Sequence, residues 1–158
     1  MMKFLTCLGI MLATTIAYSN PDIYIFHGTG IWKDLSGNSG NYTSVVKKTF
    51  QNDGVIKIVE SIETETENMT SIEIVKKGEN DTSTIFSADG ALIGNGYCFR
   101  KTGMKVCHCE FETDEGRVEK TKHMNLDAYH EVGSHTNSEG KKVMWSGSYQ
   151  RIFPEQDS

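Results

Sequence analysis

The chain has 158 residues, with 16 Lys and Arg against 21 Asp and Glu, for a formal net charge of −5 at pH 7. That length suits one domain able to bury a core of its own. The acidic balance argues against nucleic acid and anionic membranes as partners, since both attract clustered cations, and the only basic pairs (Lys47-Lys48, Lys76-Lys77, Arg100-Lys101 and Lys141-Lys142) read as solvated strand-end residues.

Residues 1–19 begin with one positive charge, Lys3, run through an apolar stretch from Phe4 to Ala13 and end in Ala17-Tyr18-Ser19. A basic start, a short apolar middle and small residues before the cut describe a secretory signal peptide. The stretch is too short and Thr-rich for a membrane span, so no membrane insertion of the mature chain is expected. A single domain is expected over residues 20–158, exported to the periplasm or the extracellular space.

From Asp22 onward, runs of about ten strand-like residues alternate with Gly-bearing turns such as Asp53-Gly54, Asp89-Gly90, Thr102-Gly103, Glu115-Gly116 and Glu139-Gly140. Connections this short join antiparallel neighbours, because parallel strands need long crossovers. The spacing predicts strands over 29–34, 41–50, 55–65, 69–77, 82–87, 91–100, 104–113, 117–125, 127–136 and 141–152. The two prolines, Pro21 and Pro154, lie outside this region, as residues that cannot donate to a ladder should. The fold class is all-β: an antiparallel up-and-down meander of 8–10 strands closed into a barrel.

Alternation assigns faces. In the third strand Ile56, Ile58 and Ile62 share a side with Glu60, and in the fourth Ile72 and Ile74 are core candidates. Glu60 joins Glu63, Glu65 and Glu67 in what reads as a solvated strand end. The last strand sets Val143, Trp145, Gly147, Tyr149 and Arg151 on one face, expected to point inward. The sixth strand divides into Ile93, Tyr97 and Phe99 against Leu92, Gly94, Gly96 and Cys98, and its glycines suggest a bulge or a tight bend.

Three cysteines follow the leader: Cys98, Cys107 and Cys109. If Thr102-Gly103 is a two-residue turn, Cys98 stands opposite Cys107 and the two can bridge. If the loop is Lys101-Thr102-Gly103, the register slips by one and they face opposite ways. The first arrangement is preferred, giving a Cys98–Cys107 disulfide and one thiol left over. In that register Tyr97 faces His108 and Asn95 faces Glu110. The parity of residues 104–113 then decides whether His108 and Glu110, or Cys107, Cys109 and Phe111, line the interior.

Gly30-Ile31-Trp32 near the start and Trp145-Ser146-Gly147-Ser148-Tyr149-Gln150-Arg151 at the end, on a chain of antiparallel strands, resemble the calycins, the group that includes lipocalins, fatty-acid-binding proteins, avidins and nitrobindin-like barrels. The chain looks like a compact, helix-poor, lipocalin-like member. It lacks room for the helical pair of fatty-acid-binding proteins, the C-terminal helix of lipocalins and the tryptophan-rich wall of avidins. The resemblance implies that Trp32 plugs the closed end of the barrel and that Arg151 packs over its ring, a cation–π contact.

No chemistry-bearing motif stands out. There is no Gly-x-Ser-x-Gly elbow and no His-x-x-x-His pair; Cys107-x-Cys109 alone is a poor metal site, so no metal or cofactor is expected. The expected function is a non-enzymatic barrel holding a small, largely apolar ligand among Tyr97, His108, Trp145, Tyr149 and the isoleucines of the third and fourth strands. The alternative is a structural or inhibitor-like interaction module acting through its loops. An isomerase or cyclase would require His108 or His130 inside, with a carboxylate in reach.

Overall fold

The computed structural model describes residues 22–153; the expected leader over 1–19 lies outside the described residues. Ten strands follow one another along the chain: β1 (Ile23–Asp34), β2 (Ser39–Phe50), β3 (Val55–Thr64), β4 (Asn68–Lys77), β5 (Thr82–Phe86), β6 (Leu92–Lys101), β7 (Met104–Thr113), β8 (Gly116–Met124), β9 (Ala128–Thr136) and β10 (Lys142–Ile152). Each pairs antiparallel with its neighbours in sequence, and β10 pairs with β1 to close the barrel. Closure leaves no free sheet edge, which is how an all-antiparallel chain avoids templating its own aggregation. A single 3₁₀ turn, Asn52–Gly54, interrupts the strands.

The turns explain the register. Thr102 and Gly103 both have positive φ, at 49° and 79°. That is the two-residue hairpin geometry whose twist matches the flanking strands. It sets Lys101 against Met104, and counting outward brings Cys98 opposite Cys107, where a disulfide joins them. Asp34 closes the β1–β2 loop by accepting bonds from the backbone and the side-chain amide of Asn38, at 2.8 and 2.7 Å.

Parity fixes the two walls. Cys107, Cys109 and Phe111 face the lumen, opposite Cys98, Gly96 and Gly94 of β6. Gly94 has no side chain because the backbone of Glu110 and the side chain of Phe111 occupy the space a Cβ would need. Register shifts between Ile85 and Phe86, so that Gly94 faces Ile85 while Leu92 faces Phe86, a bulge beside these glycines. In β4 the expected core isoleucines are displaced: Ile72 is exposed on the outer wall and Ile74 shares its parity, while Glu73 points inward. The alternation was right but its phase was not, because Glu73 has an internal ammonium to meet.

One end of the barrel is closed by aromatic packing. Phe26, Val46, Tyr129 and Tyr149 form the buried cluster, with Tyr24, Ile58 and Met124 packed against it. Tyr129 stacks on Tyr149 with ring centroids 4.4 Å apart and planes 7° from parallel, and Phe26 meets Tyr129 at 5.2 Å near edge-on. Such pairs add about 0.5–1.5 kcal/mol each beyond burial.

Candidate functional site

Arg151 caps this aromatic end. Its guanidinium carbon lies 3.6 Å from the centroid of Tyr24 and 4.8 Å from that of Phe153. The expected partner, Trp32, is elsewhere. It pairs with Trp145, whereas Arg151 pairs with Phe26, six residues along the same strand. At about 3.3 Å per residue that is roughly 20 Å, the length of the lumen. An arginine does lie across an aromatic ring at a barrel end, but the ring is Tyr24, and the two tryptophans stand half-buried at the opposite end.

The lumen aromatics lie against the wall. Trp32 covers Gly40, where a Cβ would come within 2.8 Å of its Nε1; Trp145 covers Gly133, Tyr149 covers Gly28, and Tyr42 covers Gly30 and Gly147. Each ring occupies the place of a missing Cβ on a nearby strand, the adjacent one in every case but Tyr42 over Gly147, which reaches across β1. The Gly-x-Gly-x-Trp and Ser-Gly-Ser-Tyr patterns thus have one physical cause, the close approach of a ring to neighbouring backbone.

Between the two aromatic ends the lumen carries charge. Lys120 pairs with Glu73, both nearly inaccessible, and Lys122 Nζ sits 2.9 Å from Glu131 Oε2. Glu131, 2% exposed, also accepts a 2.8 Å hydrogen bond from the indole N–H of Trp145. Glu60 accepts hydrogen bonds from Ser44 Oγ at 2.9 Å and the Tyr149 hydroxyl at 3.2 Å, and the Tyr42 and Tyr149 hydroxyls meet at 3.4 Å.

Burial alone would neutralise these ions. It pulls the Lys120 and Lys122 ammoniums down, but Glu73 and Glu131 outweigh it and hold both above the ordinary amine range. Burial likewise raises Glu131, and Lys122 and Lys120 overcome it, bringing the carboxyl to about 2. The phenols of Tyr42, Tyr129 and Tyr149 are all raised, chiefly by burial and the nearby carboxylates, Tyr42 to about 12. Lys120, Lys122 and Glu131 are thus charged and the three phenols neutral at neutral pH.

Sequence inspection missed this layer, although a signal was present. Lys120 and Lys122 share the parity of Val118 and Met124, and Lys122 is in register with Glu131. Glu60 belongs to the layer too, not to a solvated acidic strand end.

The four expected ligand residues divide between the walls. Trp145 and Tyr149 face the lumen. Tyr97 is 52% exposed on the outer wall, its ring 5.4 Å from that of His108, whose Nδ1 lies 3.0 Å from Thr121 Oγ1. β6, with the small inner residues Gly94, Gly96 and Cys98, turns its aromatic side, Tyr97 and Phe99, outward. The remaining thiol, Cys109, faces the lumen, and burial pushes its pKa up. Among the described residues no group of three His, Cys, Asp or Glu is arranged to hold a metal ion.

The outer wall also carries a cleft of about 670 Å³. It runs across β8, β9, β10, β1 and β2, with His27, His123 and His130 among its lining residues. His130 is held by Ser148 and Ser146, each 3.2 Å from one of its ring nitrogens.

A closed antiparallel meander with aromatic ends and an inward-facing last strand decides the architecture. The fold is calycin-like. No protein-family model and no curated protein sequence matches the chain. Among solved structures, this calycin-like barrel is similar to the S-type phycobiliprotein lyase CPES from Guillardia theta, with a TM-score of 0.58 at 12% identity over 84% of this chain and 88% of that one. A putative AttH from Nitrosomonas europaea also matches, with a TM-score of 0.32 and 10% identity over 85% of this chain and 53% of that one.

Proposed function

We propose that this protein is an exported, non-enzymatic barrel that binds a small, largely apolar molecule in its interior. The observation that carries the reading is the lumen's inner surface, where the rings of Trp32, Tyr42, Trp145 and Tyr149 pack against glycine backbone and make the inner wall aromatic. Such a wall suits the apolar body of a ligand, while Glu131, Lys122 and Glu60 offer a few fixed polar groups for orienting it. The Cys98–Cys107 disulfide is consistent with an oxidising compartment, the periplasm or the extracellular space. No helix among the described residues is long and apolar enough to cross a membrane. The structural likeness to a phycobiliprotein lyase supports the barrel as a scaffold and leaves the ligand's identity to experiment.

Native mass spectrometry of the gently purified protein, with a titration of Trp145 and Trp32 emission against apolar fluorescent probes, tests this. A one-to-one adduct or saturable quenching is expected. A protein that carries nothing and shows unchanged emission across the probe series overturns it. The outer-wall cleft favours a second reading, an interaction module acting through its surface, for which binding of a protein partner would survive filling of the lumen.

A further inference from the structure

Of the three lysines turned toward the lumen, two sit on carboxylates and one does not. Lys120 is held by Glu73 and Lys122 by Glu131. Lys48, on β2 between Tyr24 and Ile58 in register, has neither a hydrogen bond nor an ion pair among the described residues. Its Nζ stands 4.5 Å from the centroid of Phe26 and 4.5 Å from that of Tyr129. Tyr129 continues into the stack with Tyr149, so the amine lies against the edge of the buried aromatic cluster.

We propose that Lys48 is a nucleophilic amine that captures an aldehyde borne on a flat, apolar body as an imine at the aromatic end of the barrel. The proposal rests on the interior-binding reading above. The amine lone pair attacks the carbonyl carbon, C=N replaces C=O, and the carbonyl oxygen leaves as water with the two amine hydrogens. Nothing is oxidised or reduced.

Burial and the neighbouring ammoniums favour the free base, against the pull of the Phe26 and Tyr129 ring faces toward the charged form. Burial acts first and the Lys122 ammonium second to depress Lys48 to about 7; Lys120 adds to this, while Glu131 on β9 and Glu60 on β3 oppose it. The neighbouring Tyr129 phenol stays neutral. At pH 7 an ordinary lysine is unprotonated in roughly one molecule in 2,500, whereas Lys48 is so in a large share. Lys48 is also half-buried as a residue, whereas Lys120 and Lys122 are buried.

Treating the purified protein with cinnamaldehyde and cyanoborohydride, which reduces an imine to a stable amine, tests this by intact mass and peptide mapping. One adduct is expected at Lys48, formed at pH 7.5 at least about tenfold faster than at any surface lysine, with a half-maximal rate near pH 7. Lys48→Arg and Lys48→Met, each checked for strand content by circular dichroism, should both lose it. Labelling spread evenly over surface lysines, or unchanged in either variant, overturns the proposal. Cinnamyl alcohol, which cannot form an imine, separates the two readings. If native mass spectrometry shows it bound one-to-one while the aldehyde is never trapped at Lys48, the amine proposal falls and interior binding stands. If it fails to bind while Lys48 is still labelled selectively, the reactive amine stands and interior binding falls.

Discussion

The two sides of the barrel are held together differently. From β8 through β9, β10 and β1 to β2, long strands bring Phe26, Tyr42, Val46, Lys120, Lys122, Tyr129, Glu131 and Tyr149 into the lumen, all buried. On the other side β5 has five residues, its ladder with β4 runs only from Ile74 to Lys77, and a bulge interrupts its ladder with β6. That side still buries Ile85, Phe111, Glu60 and Glu73, so the difference lies in the ladder and not in burial. A covalent link, Cys98–Cys107, ties β6 to β7 on this side of shorter pairing. The lesson is that a closed barrel need not be uniformly hydrogen-bonded: one side is a run of long, continuous ladders, the other a short, bulged ladder supported by a disulfide.

The largest expected effect tests the ionic layer on the side of long ladders. Glu131→Gln leaves the Lys122 ammonium buried without its anion, and urea unfolding should show a loss of about 3–5 kcal/mol. The same variant should alter the acid limb. Because the folded-state carboxyl titrates near 2, below its unfolded value, its contribution is present above about pH 4.5 and is lost as pH falls toward 2. The variant should lack that part of the decline.

Next comes the clip on the other side. Cys98→Ser with Cys107→Ser should cost roughly 2–3 kcal/mol, and amide exchange should speed up in β5, β6 and β7 rather than in β9, β10 or β1. Uniform acceleration around the barrel would mean the two sides unfold as one unit.

A smaller loss, about 2 kcal/mol, is expected for Gly133→Ala, whose new Cβ meets the Trp145 ring and the Glu119 carbonyl. A shift in tryptophan emission should accompany it.

Lys48→Met should act in the opposite direction. The folded-state amine is depressed to about 7, so its protonation opposes folding fully below pH 7, and the penalty shrinks as pH rises from 7 toward 10. The variant should therefore gain about 1–2 kcal/mol at pH 6, with the advantage fading by pH 10. Arg151→Ala, which removes only the cover over Tyr24, should cost about 0.5–1 kcal/mol in the same denaturation assay.

The strand pattern, the turns and the inward face of β10 were legible because period-2 alternation and Gly-bearing hairpin loops are local properties. The Cys98–Cys107 pairing was legible for the same reason, since a two-residue turn sets every register that follows it. Phase was harder where both faces of a strand carry apolar residues. In β4, Ile72 and Ile74 outweighed Glu73 on hydrophobicity, yet Glu73 went inside because Lys120, 47 residues later, meets it there. Tyr97 and His108 show the same difficulty, since Gly94 and Gly96, which by sequence mark a bend, form the inner wall and leave the aromatic residues outside.

Local periodicity was thus enough to specify ten antiparallel strands and the hairpins that join them, because turn geometry and side-chain alternation act within a few residues. Closure of β1 on β10, the choice of Tyr24 rather than Trp32 beneath Arg151, and the meeting of three lysines and three glutamates in the lumen were decided in three dimensions. Those partners come from strands distant in sequence, and only the curvature of the closed sheet brings their side chains to one axis.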